Sequence, residues 1–132
     1  MRFVIQPASS EPIYAQVVRQ VREGVATGRL RAGDRLPSVR DLARDLVINP
    51  NTIAAAYRDL ERAGLIHTHR GRGTFIAEPP EAGPARERRR LLQKHVDALL
   101  TEAAHLGLTE EEIMEQVRES LKRFRLGGLG HE

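Results

Sequence analysis

Two stretches of the sequence carry polar groups at spacings suited to gripping a polyanion. The first is Ile48-Asn49-Pro50-Asn51-Thr52-Ile53-Ala54-Ala55-Ala56-Tyr57. Asn49 has the side chain of a helix N-cap, able to accept a bond from a free backbone N–H. Pro50 suits the first helical position, where its missing N–H is harmless. A helix that starts so sharply presents free N–H groups and a positive dipole, which suit a phosphate. Asn51 and Thr52 add short polar side chains that reach phosphate or base edges. Ala54 and Ala55 leave the clearance that a helix needs in a major groove, and their methyls suit thymine. Arg58 lies one turn beyond Ala54 on the same side. It either reaches the nucleic acid or pairs with neighbouring acids such as Glu61. The second stretch is the basic tip His69-Arg70-Gly71-Arg72-Gly73. Its glycines permit close backbone approach, and its arginines suit a narrow minor groove or, alternatively, simply face solvent. Arg40, just behind the candidate N-cap Ser38, either clamps a phosphate or pairs with Asp41, Asp45 or Asp59.

Other chemistries find little support. His67 and His69 alternate on a strand without a third ligand, so no metal site is predicted, and either imidazole could instead touch phosphate. Asp41 and Asp45 share a helix face with no acid–base partner. There is no nucleophile–base pair and no phosphate-cradling loop, so neither catalysis nor a cofactor is expected. The 132 residues contain no Cys, three Phe, two Tyr and no Trp, so a core must be aliphatic and disulfides are excluded. No apolar run approaches the roughly 18 residues of a membrane span, and no apolar signal region opens the chain. A cytoplasmic protein is expected. Residues 1–77 hold twelve Arg against seven acids, whereas residues 78–132 hold nine Lys/Arg against eleven acids. A basic front half joined to a mildly acidic rear half fits a front half that meets nucleic acid, although a margin of this size also fits a solvated surface.

The elements that must position these residues follow from periodicity. Phe3-Val4-Ile5 reads as an edge strand or a packed arm. A helix starts around Ser9–Pro12, carries Ile13, Val17, Val21 and Val25, and stops at Gly28. The segment Gly28–Ser38 reads as loop. Ser38 and Asp41 form a capping-box-like pair before a short helix, Val39 to about Leu46. After a tight turn at Val47-Ile48, a helix runs from Asn49 to Gly64 with Ile53, Ala56, Tyr57, Leu60 and Ala63 on its apolar face. Leu65–Thr68 and Gly73–Ile76 read as two short strands. The predicted fold is mainly α with a small β-hairpin wing: a winged helix-turn-helix domain over 1–77, a linker over 78–84, a two-helix extension over 85–126 and a flexible tail over 127–132. In the extension Leu92, Val96, Leu99 and Leu106 stripe a helix from about Ala85 to Gly107. Ile113, Val117, Leu121 and Phe124 stripe a second of about 16 residues behind the capping box Thr109–Glu112. Two such helices cannot bury both stripes alone, so they are read as a homodimerisation element, with folding back onto the front domain as the alternative.

The segments GRLRAGDRLPSVRDLARDL, NPNTIAAAYRDLERAGLI and HRGRGTFI resemble the DNA-binding domain of GntR-family transcription regulators over about residues 10–77. The short two-helix rear is similar to the YtrA-like subfamily. The resemblance implies a homodimeric repressor on double-stranded DNA with a two-fold symmetric operator, beside a transporter operon in many relatives. It places DNA contacts on Arg40, on Asn49 to Thr52, and on Gly71 and Gly73. Pro50 and Ala54 stand where some subfamilies carry arginines, so the base readout of those subfamilies does not transfer. Val47 stands where a turn glycine is common, so the turn either avoids a positive φ or is slightly strained. Whether a small-molecule effector acts is left open by the sequence. The alternative to a sequence-specific reader is a winged helix that docks protein partners.

Overall fold

The computed structural model describes residues 2–79, 81 and 83–126 and falls into two units, Met1–Pro79 together with Arg125–Glu132, and Pro80–Phe124. In the first unit the order is α1 (Ile13–Ala26), β1 (Arg35–Leu36), α2 (Val39–Leu46), α3 (Pro50–Arg62), β2 (Ile66–His69) and β3 (Gly73–Ile76). The second holds α4 (Ala85–His105) and α5 (Glu110–Leu121). The expected tail over 127–132 and two linker positions, 80 and 82, lie outside the described residues.

The core of the first unit is aliphatic, as the composition requires. Val17 and Val21 of α1 are fully buried with Ile53, Ala56 and Leu60 of α3; Leu36, Leu42, Ala43, Tyr57, Ile66 and Ile76 close around them. Gly24 sits in α1 because Leu30 comes in close: a Cβ there would lie 2.7 Å from Leu30 Cδ1. The N-terminal segment is a packed arm, not a strand. Phe3 is buried, and two glutamines of α1 hold the arm backbone as a neighbouring strand would. Gln20 pairs with both the N–H and the C=O of Val4 at 2.9 and 2.6 Å, and Gln16 does the same for Gln6 at 2.8 and 2.9 Å. Gln16 is itself buried and satisfied, since its amide also donates to the Glu11 carbonyl.

The wing is a three-stranded antiparallel sheet in the order β1-β3-β2, not a bare hairpin. Part of the segment read as loop pairs with it: Arg35 lies opposite Phe75 and Leu36 opposite Thr74. On the other side of β3, Ile66 faces Ile76 and His69 faces Gly73. The expected start of α1 also shifts, because Pro12 is its N-cap and no side chain caps it.

The second unit is different in kind. Its capping box is complete: Thr109 Oγ1 accepts from the Glu112 N–H at 3.1 Å, and Glu112 Oε1 accepts from the Thr109 N–H at 2.9 Å. Yet Ala103 is the sole buried residue among its described residues. Helix α5 has 12 residues and ends at Leu121 with Lys122 as C-cap, so Phe124 falls beyond the helix it was expected to stripe.

Candidate nucleic-acid interface

The helix-turn-helix is built from two caps and one strained residue. Ser38 Oγ accepts from the Asp41 N–H at 3.0 Å and starts α2. Asn49 Oδ1 accepts from the Asn51 N–H at 2.8 Å, with Pro50 in the first turn, and starts α3. Between them Val47 ends α2 in the left-handed region, φ 56° and ψ 53°, where its N–H still reaches the Arg44 carbonyl. A β-branched residue resists that conformation. The turn therefore takes the strained course. The Tyr57 hydroxyl donates to the Pro37 carbonyl at 2.7 Å, tying the middle of α3 to the residue before the α2 cap.

These elements sort the candidate residues. Helix α3 divides cleanly: Ile53, Ala56, Tyr57 and Leu60 face the core, while Asn49, Pro50, Asn51 and Arg58 are exposed and Thr52, Ala54 and Ala55 are half-buried. Arg58 has no ion pair among the described residues: the nearby Asp59 pairs with Arg62 at 3.2 Å, and Glu61, the acid expected to hold it, does not. Arg40 is likewise exposed and unpaired among them. The acids that might have held it belong to Arg44, which lies 3.2 Å from Asp41 and 3.7 Å from Asp45. Ser38 is exposed at its cap.

At the wing, Arg70, Gly71 and Arg72 form an exposed turn closed by the Arg72 N–H on the His69 carbonyl at 2.9 Å. His69 does not stand free as a point donor. Its ring packs edge-on against His67, centroids 4.5 Å apart, and both rings lie 6.1 Å from Phe75. No group of three or more His, Cys, Asp or Glu residues converges on a metal-sized site among the described residues.

One basic residue escaped the sequence reading. Arg35 of β1 lays its guanidinium over Gly73, where a Cβ would meet Arg35 Nε at 2.8 Å; Gly73 also has φ +125°, which only glycine adopts easily. Gly73 thus makes room for a third arginine at the base of the wing. No local signal in the sequence marks it, because β1 is only two residues long. Only Leu36 and Pro37 separate Arg35 from Ser38, so the base of the wing runs directly into the start of α2. Exposed guanidiniums, two capped helix starts and a basic turn are groups of the kind that bind phosphate, and Asn51 and Arg58 are side chains of the kind that bond to base edges.

Known proteins share this arrangement. The sequence profile of "Bacterial regulatory proteins, gntR family" matches residues 13–76. The HTH-type transcriptional repressor YtrA of Bacillus subtilis (strain 168) is 39% identical over 115 residues, covering 87% of this chain and 88% of that protein. A transcriptional antiterminator from Listeria monocytogenes EGD-e superposes with a TM-score of 0.79 at 31% identity, over 100% of this chain and 98% of that one. The AraR(DBD) structure, in complex with operator ORX1, superposes with a TM-score of 0.51 at 28% identity over 58% of this chain and 96% of that chain. The YtrA match extends well beyond the helix-turn-helix into the two rear helices. With a winged reading head in front and only two helices behind, this chain belongs to the GntR family of bacterial regulatory proteins, on its YtrA-like branch.

Proposed function

We propose that the protein is a homodimeric repressor that reads a two-fold symmetric operator, with α3 in the major groove and the Arg70–Gly73 turn in the flanking minor groove. The carrying observation is the division of α3: a capped N-terminus and an outward row of Asn51, Ala54, Ala55 and Arg58 that the fold uses for no ion pair among the described residues. Arg40 grips the backbone beside it, with Ser38 and Asn49 at the two helix starts. The operator bound by AraR(DBD) and the repressor role in the name of YtrA support the reading. Two copies supply the two half-sites, and the exposed apolar residues of α4 and α5 supply the contact between copies. Residues 78–84 act as the link between reader and dimerisation element. The regulated genes are those of a neighbouring transporter operon, and any small-molecule effector would act on the rear helices.

The test is selection of genomic DNA fragments by the purified protein at physiological salt, where non-specific binding is weak. Recovery of one short inverted repeat is the expected result. On that repeat Asn51→Ala and Arg58→Ala should each weaken binding by about 1–3 kcal/mol and relax preference at one position per half-site. Arg40→Ala should weaken binding to all sequences alike and reduce the salt slope by about one unit per contact. Recovery of no common sequence, or intact operator affinity in both α3 variants, would overturn the reading.

A further inference from the structure

Helix α4 is charged against its own dipole. Residues 85–95 hold Arg86, Arg88, Arg89, Arg90 and Lys94 against one acid, Glu87; residues 96–105 hold Asp97 and Glu102 and no Lys or Arg. Cations at a helix N-terminus and acids toward its C-terminus are each unfavourable within one helix. Only Arg90 finds an acid among the described residues, its neighbour Glu87. The acidic trend continues past the helix end. The Leu108 N–H turns back to the Ala103 carbonyl, and α5 opens at once with Glu110, Glu111 and Glu112. Between the two charged ends lies an uncovered apolar row, with Leu92 62% and Leu106 65% exposed and Leu91, Leu99 and Leu100 also open. Among the described residues of its own unit, nothing else resolves this polarity.

We infer that α4 pairs with α4 of a second copy in the antiparallel sense, crossing close to His95 and Val96, and that the charge gradient excludes the parallel arrangement. This rests on the homodimer reading above. The antiparallel pair lays Arg86, Arg88 and Arg89 of one copy beside Glu102 and the acidic start of α5 of the other, and two-fold symmetry repeats the match at the opposite end. Leu92 then lies toward the partner's Leu99 region, on the same face of α4. The parallel pair stacks the arginine run on itself and the acids on theirs, without compensation. Each helix opposes its own dipole, and the antiparallel neighbour supplies the missing counter-charge.

The chain contains no cysteine, so single cysteines can be spin-labelled without background. Labels at Arg86→Cys, His95→Cys and His105→Cys should give a short separation at 95. At 86 and at 105 the separation should be about 30 Å, from the 1.5 Å rise per residue. An equimolar mixture of the 86 and 105 variants should give a new short distance. Sedimentation equilibrium supplies the second readout. The variant Arg88→Glu/Arg89→Glu should weaken the dimer at least tenfold, and adding Glu102→Lys should recover at least threefold of that loss. Short distances at all three single positions, or a dimer unchanged by Arg88→Glu/Arg89→Glu, would overturn the antiparallel pairing and leave the homodimer standing. An unchanged dimer with weakened operator binding would reassign the arginines to DNA. A monomeric wild-type chain would remove the homodimer reading itself.

Discussion

Tyr57 joins α3 to the entry of α2 through a buried hydroxyl that donates to the Pro37 carbonyl, and burial pushes its phenol well above the ordinary tyrosine range. The fold therefore favours the neutral phenol, while the unfolded chain can release its proton from about pH 10. Protons held by the native state and lost from the unfolded one make stability fall as pH rises. This contribution is complete below about pH 10 and declines beyond it. Tyr57→Phe should cost about 1 kcal/mol at pH 7, from one lost hydrogen bond and an unpaired carbonyl. It should also flatten the alkaline decline, measured by urea unfolding at pH 7 and pH 10.5. Other single residues show how far the sequence could be read. For Arg40 and Arg58, pairing with nearby acids stood open beside contact with nucleic acid. Arg44 and Arg62 pair instead with Asp41 and Asp59 at three-residue helical spacing, a competition between long side chains that spacing alone does not rank, and Glu61 pairs with neither Arg58 nor Arg62. Arg35 was missed for a related reason: its place over Gly73 depends on a pairing between segments nearly forty residues apart.

At the level of elements, the turn between α2 and α3 stores strain in Val47, whose side chain is 89% exposed and packs against little. Val47→Gly should relieve the left-handed conformation and lose no burial. A net gain of up to about 1 kcal/mol is expected after the larger entropy of an unfolded glycine is counted. Equilibrium unfolding checks the gain, and unchanged operator affinity would show that the strain serves no contact with DNA. The long elements were legible because their signals are local. Ser38, Asn49 and Thr109 each cap the helix they were expected to cap, and the buried rows of α1 and α3 follow their apolar spacing. Strand β1 was not legible. Two residues are too few to show alternation, and the strand exists because β3 offers it partners. The end of α5 was misplaced because Phe124 keeps the helical period and no breaker stands before Gly127. The arm at Phe3 was an open alternative, decided by two glutamines that imitate a strand edge.

For the molecule as a whole, the two units differ in how completely they are finished. The first has a closed aliphatic core, whereas the second leaves Leu92, Leu99, Leu106 and Leu121 open to solvent. A dimer whose stability depends on covering those residues should melt at a temperature that rises with protein concentration. A gain of about 2–3 °C per tenfold increase is expected in calorimetry, against none for an independent monomer. The same division of labour has a consequence for descent. In α3 the residues that hold the fold and those that face outward occupy separate sides, and Asn51, Ala54, Ala55 and Arg58 contribute little to the core. Substitutions on that outward row can accumulate at almost no cost in stability. With that row reading DNA as proposed, a duplicated copy could acquire a new address on the chromosome within a few mutations, while inheriting its architecture unaltered.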